Sequence, residues 1–282
     1  MSMDDAFPPF EPDGPEKYNE NQRKRLREIP LRYLVPNIVT VLAICAGLSA
    51  VRMAFEQRFE AAIGLTLVAA LLDGMDGRIA RLLKASSKFG AEMDSLADVI
   101  NFGCVPALIL YIYVLDETKQ FGWIAALIYV IAAALRLARF NITLDDHARP
   151  KWQKAYFTGI PAPAAALLVL LPVYIGFLGL AADWVTASFV SVYTIIIGFL
   201  MVSNLPVWSA KTVGGIARSA VMPIMLIVVL YVAALANFTW TTLTLSACAY
   251  LAFLPYSVHM YRKDAQKYAV EKTESDEEAQ SS

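Results

Sequence analysis

An all-α membrane protein that crosses the bilayer several times is the fold class that this sequence predicts. Hydrophobic residues make up 57% of its 282 residues, and charged residues make up only 17%. The mean hydropathy is +0.50, and the apolar residues gather in stretches long enough to span a membrane as helices. The net charge of −1 provides no field that would attract nucleic acid, so no nucleic-acid partner is expected.

Eight apolar spans follow one another along the chain. The first begins after Pro36 and Asn37, a proline-led start that is typical of a helix N-terminus. The spans are predicted at about residues 38–55, 59–84, 89–115, 121–140, 164–180, 184–202, 220–236 and 240–256. The first six form a predicted core at residues 36–204, and residues 205–260 add two further spans.

The two ends of the chain are polar. Residues 1–35 form an N-terminal segment with an acidic, proline-rich start, which predicts disorder, and a basic stretch at residues 23–27. Residues 29–34 are predicted to form a short interfacial helix. Residues 261–282 form a charged tail that is also expected to be disordered.

Lysine and arginine are distributed unevenly between the two sides of the predicted membrane protein. Eight spans place Arg52, Arg58 and Lys119 on one side and all other lysines and arginines on the opposite side. The positive-inside rule then puts both termini and the ends of the second and fourth spans in the cytoplasm. A multi-pass protein of the bacterial inner (cytoplasmic) membrane is therefore expected.

Four aspartates mark the ends of the second and third spans, namely Asp73, Asp76, Asp94 and Asp98. A polar break at residues 84–88 separates the two spans, and Ser86 or Ser87 is a suitable N-cap for the third helix. At a rise of about 1.5 Å per residue, Asp76 and Asp98 lie at nearly equal distances from that turn. The four carboxylates are therefore expected to converge on one small volume.

A cluster of four carboxylates needs positive charge, because the groups repel one another where solvation is poor. Arg81 supplies a single positive charge. One or two divalent cations would complete the balance, and a shell of oxygen ligands suits Mg²⁺ or Mn²⁺. Solvated loop carboxylates near the membrane surface are the alternative, but they would not explain four aspartates on two matched helix faces.

The same stretch fits the pattern Asp-x2-Asp-Gly-x2-Ala-Arg-x8-Gly-x3-Asp-x3-Asp at every spacing. It resembles the CDP-alcohol phosphotransferases, membrane enzymes that displace CMP from a CDP-linked lipid with an alcohol. Residues 96–107, 135–141 and 157–164 are most similar to the phosphatidylserine synthases of that family. The resemblance covers roughly residues 36–172.

This resemblance implies a reaction. The phosphatidyl group of CDP-diacylglycerol is expected to pass to L-serine, with release of CMP and formation of phosphatidylserine. Two ions of Mg²⁺ or Mn²⁺ would be bound by Asp73, Asp76, Asp94 and Asp98. By the same resemblance, Asp98 is also the expected general base. Direct attack and a covalent phosphatidyl intermediate both remain open.

The lipid substrate is expected to bind beside the aspartates. Gly77 and Ala80 lack bulk, so a nucleotide could lie against the helix backbone there. The planar guanidinium of Arg81 can bind a phosphate oxygen. Asn37 and Thr40 are similar to a Pro-Asn-x-x-Thr stretch near the nucleotide pocket of the family, although a simple helix cap explains them equally well.

The acceptor site is predicted near the end of the fourth span. Arg136 and Arg139 share a helix face at i,i+3, and Asn141 follows on the same turn. Their charges suit the carboxylate of L-serine, and Asn101 is a further candidate because it shares a face with Asp98. The alternative is that both arginines anchor the helix end among lipid headgroups.

Two other functions remain open. The chain could be a different member of the family, such as a phosphatidylglycerophosphate or phosphatidylcholine synthase. It could also be a divalent-cation transporter, since carboxylates within a membrane often mark ion pathways. The acidic residues cluster toward one membrane face beside an arginine and a glycine, which favours a phosphate site. The family also implies a homodimer embedded in membrane lipid.

Overall fold

The structure is a computed structural model that describes residues 31–84, 87–144, 156–180, 186–208 and 218–281. The described residues are almost entirely helical, which confirms the predicted all-α membrane fold. In chain order the elements are α1 (Leu31–Phe55), α2 (Phe59–Leu82), α3 (Lys88–Asp98), a π-helical segment (Val99–Cys104), α4 (Val105–Tyr113), a 3-10 turn (Leu115–Thr118), α5 (Gln120–Leu144), β1 (Tyr156–Thr158), α6 (Ala162–Val169), α7 (Leu171–Phe177), α8 (Ala187–Val202), β2 (Pro206–Trp208), α9 (Arg218–Asn237) and α10 (Thr239–Ser281).

Within the described part of the chain, five helical segments are long and apolar enough to cross a membrane. They are Leu34–Phe55, Phe89–Tyr113, Gln120–Thr143, Ala220–Asn237 and Thr239–Gln266. The second predicted span corresponds to α2, which has 24 residues but carries the charged residues of the aspartate stretch. The fifth and sixth predicted spans are shorter apolar helices, so the count of eight crossings and the proposed division of the chain stay predictions.

The two ends of the helical region differ from the sequence-based expectation. α1 begins at Leu31 and contains Pro36, so it absorbs the predicted interfacial helix instead of starting after the proline. Pro36 is the sixth residue of α1, so the helix loses one backbone hydrogen bond, the one to the Arg32 carbonyl. The expected disorder of the tail is wrong as far as Ser281, because α10 continues through it. Lysine and glutamate favour helix, and the preceding span has already nucleated it.

Some predicted features lie outside the described residues. These are the acidic and basic segments within residues 1–30, the alternative N-cap Ser86, the polar connection at residues 145–155, and the loop at residues 209–217.

A short β-ribbon, which the sequence did not predict, connects the core to α10. β1 and β2 pair antiparallel, with Tyr156 opposite Trp208. The Trp208 backbone N–H donates a hydrogen bond to Ser257 Oγ at 2.6 Å, and the Ser257 hydroxyl donates to the Pro206 carbonyl at 2.9 Å. The Tyr156 hydroxyl donates to Asp264 at 2.6 Å. These bonds attach the ribbon to the last helix.

Two prolines interrupt helices inside the bundle, and in each case a tyrosine hydroxyl replaces part of what is lost. Pro106 cannot donate to the Phe102 carbonyl four residues earlier, which instead accepts a hydrogen bond from the Tyr129 hydroxyl at 2.9 Å. Pro172 likewise cannot donate to Leu168, whose carbonyl accepts from the Tyr193 hydroxyl at 2.6 Å. The second proline also explains why the fifth predicted span is divided into α6 and α7.

Small residues bring α1 and α2 into extensive contact. Ala43, Ala50, Ala54, Ala62 and Ala69 are each at most 1% exposed. Small side chains at a helix crossing allow the two backbones to approach closely within a membrane. This approach lets side chains near the start of α1 contact the aspartates near the end of α2.

Candidate active site

Three of the four predicted aspartates come together where α2 meets α3. Asp73 and Asp76 on α2 and Asp94 on α3 each offer a carboxylate oxygen, and these oxygens lie within 4.8 Å of one another. Asp98 follows one turn later on α3, as its last residue. The predicted N-cap of α3 is confirmed at Ser87, whose side chain accepts a hydrogen bond from the Gly90 N–H at 3.0 Å.

Asp76 is fixed more firmly than its neighbours. It is only 3% exposed, and its Oδ2 atom accepts a hydrogen bond from the Thr40 hydroxyl at 2.6 Å. Its Oδ1 atom accepts from the Gly77 N–H at 2.5 Å. Thr40 therefore connects α1 directly to the aspartate group and orients one of its carboxylates.

The carboxylates have little compensating charge. Among the described residues, neither Arg81 nor Arg136 forms an ion pair with any of the four aspartates. Asp73 Oδ1 is buried and has no hydrogen-bond partner within the described part of the chain. A buried carboxylate oxygen is strongly destabilised without a partner. Three carboxylates so close together, with an unpartnered oxygen on Asp73, fit a divalent cation.

A cavity of about 310 Å³ opens beside the aspartates, and we call it the aspartate cavity. It is lined by Pro36, Asn37, Thr40, Asp76, Gly77, Ala80, Arg81, Ser87, Gly90, Ala91 and Asp94. All five residues predicted to bind the CDP-linked lipid therefore line one cavity, together with two of the predicted metal ligands.

Two glycines shape this cavity in different ways. A Cβ atom added at Gly77 would meet no atom within 4 Å, so the space beside it is open. A Cβ atom at Gly90 would lie 3.1 Å from Asn37 Oδ1 and 3.1 Å from Ser87 Oγ. Gly90 therefore allows α3 to approach α1, whereas the fold itself does not require glycine at position 77.

Arg81 faces solvent at the edge of the cavity. Its Nε–H donates to the Gly77 carbonyl of the same helix at 3.1 Å, which holds the side chain along α2. Arg81 is also one of the residues that line the cavity. This position suits contact with an anionic group of a bound molecule.

The three predicted acceptor residues on α5 have different surroundings. Arg136 is 7% exposed, its guanidinium lies 5.4 Å from the centre of the Phe140 ring, and its charge interacts with Asp98. Arg139 donates to the Val202 carbonyl at 2.7 Å and to Asn204 Oδ1 at 3.2 Å. The Asn141 amide donates to Ser95 Oγ at 3.0 Å. Arg139 and Asn141 thus join α5 to neighbouring elements.

Asn101 lies in the π-helical segment and does not line the aspartate cavity. It is 1% exposed, and neither polar atom of its amide has a hydrogen-bond partner among the described residues. It packs against Gly47 on α1, where a Cβ atom would collide with Asn101 Oδ1. A role in binding serine stays a prediction for Asn101, as it does for the three residues on α5.

Sequence reasoning missed two residues near this site. Gly47 was one glycine among many in apolar spans, and no local pattern singles it out. Tyr250 on α10 has a buried hydroxyl without a hydrogen-bond partner in the described residues. Its ring packs against the hydrophobic core, and no local pattern in the sequence singles it out.

Known proteins resemble the part of the chain that contains the aspartate cavity. The family model for CDP-alcohol phosphatidyltransferase matches residues 33–192, and a second, for CDP-alcohol phosphatidyltransferase 2, matches residues 219–255. A protein of Mycobacterium leprae named CDP-diacylglycerol–serine O-phosphatidyltransferase is 38% identical over 245 residues, which cover 85% of this chain and 79% of that protein. A protein of Helicobacter pylori with the same name is 41% identical over 176 residues, covering 61% of this chain and 71% of that protein. The chain therefore belongs to the CDP-alcohol phosphatidyltransferase family.

Proposed function

We propose that this protein transfers the phosphatidyl group of CDP-diacylglycerol to L-serine, releasing CMP and forming phosphatidylserine. The observation that carries the proposal is the aspartate cavity, where a cluster of carboxylates borders an open helix surface at Gly77. The choice of serine is supported by relatives named CDP-diacylglycerol–serine O-phosphatidyltransferase that cover most of this chain.

Asp73, Asp76 and Asp94 are the residues proposed to bind Mg²⁺ or Mn²⁺, with Asp98 completing the set. A divalent cation bound there would neutralise charge on the pyrophosphate and on the departing CMP. Thr40 keeps Asp76 oriented for this task. Gly77 and Ala80 leave space for the nucleotide.

The transfer itself needs a proton acceptor. In the proposed reaction, the serine hydroxyl oxygen forms a bond to the phosphorus next to the lipid, and the bond from that phosphorus to CMP breaks. Asp98 takes the hydroxyl proton, because it lies one turn beyond Asp94 on α3, next to the proposed metal ligands. Arg81 binds a phosphate oxygen, and Arg136 contacts the serine carboxylate.

Purified protein supplied with CDP-diacylglycerol, Mn²⁺ or Mg²⁺, and one acceptor at a time tests this function. Phosphatidylserine and CMP should form in equal amounts with L-serine, and much less product should form with glycerol 3-phosphate or choline. Faster reaction with either of those acceptors would identify a different member of the family. Uptake of metal into vesicles without CMP release would identify a transporter.

We also propose that the aspartate cavity faces the cytoplasm of a bacterial inner membrane and that the protein is a homodimer. Single cysteines in a variant lacking Cys45, Cys104 and Cys248 test the orientation. Labels near Arg58 and Lys119 should react from outside, whereas labels near Lys88, Lys151 and Lys211 should react only from the cytoplasm. Reaction of the Lys88 site from outside would reverse the proposed orientation. The mass of the detergent-solubilised protein tests for the dimer.

A further inference from the structure

The β-ribbon connects α10 to α5 through side chains on its two faces. Tyr156 and Phe157 are consecutive residues of β1, so their side chains point to opposite faces of the strand. The Tyr156 ring lies 5.1 Å from the Tyr261 ring on α10, and the Tyr156 hydroxyl donates to Asp264 on the same helix at 2.6 Å. The Phe157 ring lies 6.3 Å from the Phe140 ring near the end of α5. The ribbon therefore bridges the last helix and the helix that carries the predicted acceptor residues.

The chain that leaves β1 is attached to the end of α8. Gly159 follows the strand with a φ of +78°, a conformation that favours glycine. Its N–H donates to the Leu205 carbonyl at 2.8 Å, and a Cβ atom at this position would collide with the Met201 carbonyl oxygen. The ribbon is thus fastened to α8 as well as to α10, and Phe157 has a fixed position beside α5.

Phe140 supports the guanidinium group of Arg136. The two residues are four apart on α5, so their side chains are neighbours on the helix surface. The guanidinium carbon lies over the Phe140 ring, 5.4 Å from its centre, which is within the range of a cation–π interaction. The ring attracts the positive charge without occupying an N–H group with an acceptor atom. The Nε atom of Arg136 is buried and has no hydrogen-bond partner among the described residues, so its N–H remains available to a bound anion.

Arg139 on the same helix is held in a different way. Its guanidinium donates to the Val202 carbonyl at 2.7 Å and to Asn204 Oδ1 at 3.2 Å. Those hydrogen bonds fix Arg139 but use its donors, whereas the ring fixes Arg136 and leaves a donor free. The second arrangement suits a guanidinium group whose task is to bind a carboxylate.

We propose that Phe140, supported by Phe157 of the β-ribbon, is a positioning residue that holds the guanidinium group of Arg136 in place for the acceptor. This assignment rests on the proposed function, in which Arg136 contacts the serine carboxylate. Phe140 and Phe157 act through Arg136 and do not contact the acceptor themselves. The β-ribbon, and α10 to which it is attached, thereby contribute to the affinity for serine.

Phe140→Leu is the direct test, because it keeps an apolar side chain and removes the ring under the guanidinium group. The KM for L-serine should rise about threefold to tenfold, as expected for the loss of one cation–π interaction. The KM for CDP-diacylglycerol and kcat should stay close to those of the wild type. Phe140→Tyr keeps a ring and should keep the wild-type KM for serine. Because KM does not depend on the concentration of active enzyme, some loss of folded protein leaves these measurements valid.

Phe157→Leu tests the support given by the ribbon. It should raise the KM for serine less than Phe140→Leu does. The double variant Phe140→Leu/Phe157→Leu should be no worse than Phe140→Leu alone, because Phe157 acts through the Phe140 ring. A rise in the double variant equal to the product of the two single rises would show that Phe157 acts independently and would contradict its role as a support.

Phe177→Leu is the matched control. The Phe177 ring stacks on the Trp240 ring at 4.3 Å, where α7 ends and α10 begins. The substitution therefore also removes a ring contact between two elements, but Trp240 precedes Asp264 by about 36 Å along α10. This variant should keep the wild-type KM for serine, and a rise equal to that of Phe140→Leu would show that any loosening of α10 has the same effect.

Contrary results separate this inference from the proposed function. If Arg136→Gln raises the KM for serine and Phe140→Leu does not, the proposed function stands and the role of Phe140 is wrong. An equal rise in Phe140→Leu and Phe140→Tyr would show that close packing matters and that the ring does not. A raised KM for CDP-diacylglycerol alone in Phe140→Leu would assign Phe140 to the lipid site. Failure of the wild-type protein to use serine would contradict the proposed function before any variant is made.

Discussion

The aspartate cavity and the surroundings of Arg136 are neighbouring parts of one protein, but they are built differently. The cavity is open and lined by three helices that follow one another in the chain. Arg136 is buried on α5, a helix that packs against α8 from a much later part of the chain. The aspartate cavity follows from the spacing of residues along three consecutive helices. The surroundings of Arg136 depend on how helices that are distant in the chain pack together. Under the proposed function, recognition of the lipid donor is contained in one segment of the chain, whereas recognition of the acceptor depends on helices that are distant in sequence.

The largest expected effect concerns the aspartates of the cavity. Asp76→Asn keeps the size of the side chain but removes a charge from the cluster, so formation of phosphatidylserine should fall by orders of magnitude. The variant should still insert and purify normally. Asp116→Asn is the control, because Asp116 accepts a hydrogen bond from Tyr111 at 2.8 Å away from the cavity. Near wild-type turnover of Asp76→Asn at saturating metal would exclude Asp76 as a ligand.

Asp98 should behave differently from the other aspartates. If it is the general base, Asp98→Asn should slow transfer by about 10²–10⁴. Its affinity for CDP-diacylglycerol in the presence of metal should remain close to that of the wild type. Measuring the binding of CDP-diacylglycerol separately from turnover distinguishes a general base from a metal ligand. A loss of lipid binding as large as that of Asp73→Asn would make Asp98 chiefly a ligand.

The two arginines of α5 provide a comparison within the acceptor region. Arg136→Gln should raise the KM for serine roughly tenfold to a hundredfold, because a charge-assisted contact is lost. Arg139 already donates to Val202 and Asn204, so Arg139→Gln should lower stability more than it changes KM. An equal rise of KM in both variants would show that both guanidinium groups contact the acceptor. A wild-type KM in both would make them helix anchors.

Gly77 tests whether the cavity binds the nucleotide against α2. Gly77→Ala should fold normally, since a Cβ atom there meets no atom within 4 Å. If the nucleotide occupies that space, the added methyl group should raise the KM for CDP-diacylglycerol about tenfold. The KM for serine should change little. An unchanged KM for the lipid would place the nucleotide elsewhere in the cavity.

The contrast between the two regions also explains what the sequence could predict. The spacing of Asp73, Asp76 and Asp94 on two helices joined by a short turn determines their approach, because helix geometry relates position to direction. The N-cap at Ser87 followed from the same local rules. The partners of Arg139 are 63 and 65 residues away, and no periodicity indicates them.

Some parts of the fold could not be predicted for a related reason. The β-ribbon has only three residues in each strand, too few for an alternating pattern to be recognised. The continuation of α10 through the charged tail depends on the helix that precedes it, whereas composition alone indicated disorder. In both cases a neighbouring element determines the structure.

The smallest expected effect on catalysis comes from the tyrosines that compensate for prolines. Tyr129→Phe and Tyr193→Phe would each leave a backbone carbonyl without its present side-chain donor, at Phe102 and at Leu168. Each substitution should lower the free energy of unfolding by about 1–2 kcal/mol, because a buried carbonyl loses a hydrogen bond. The KM values for serine and CDP-diacylglycerol should not change. The midpoint of unfolding in detergent measures the first effect, and steady-state kinetics measure the second. Phe102 follows Asn101 in the π-helical segment. A raised KM for serine in Tyr129→Phe alone would therefore show that this segment helps to shape the acceptor site.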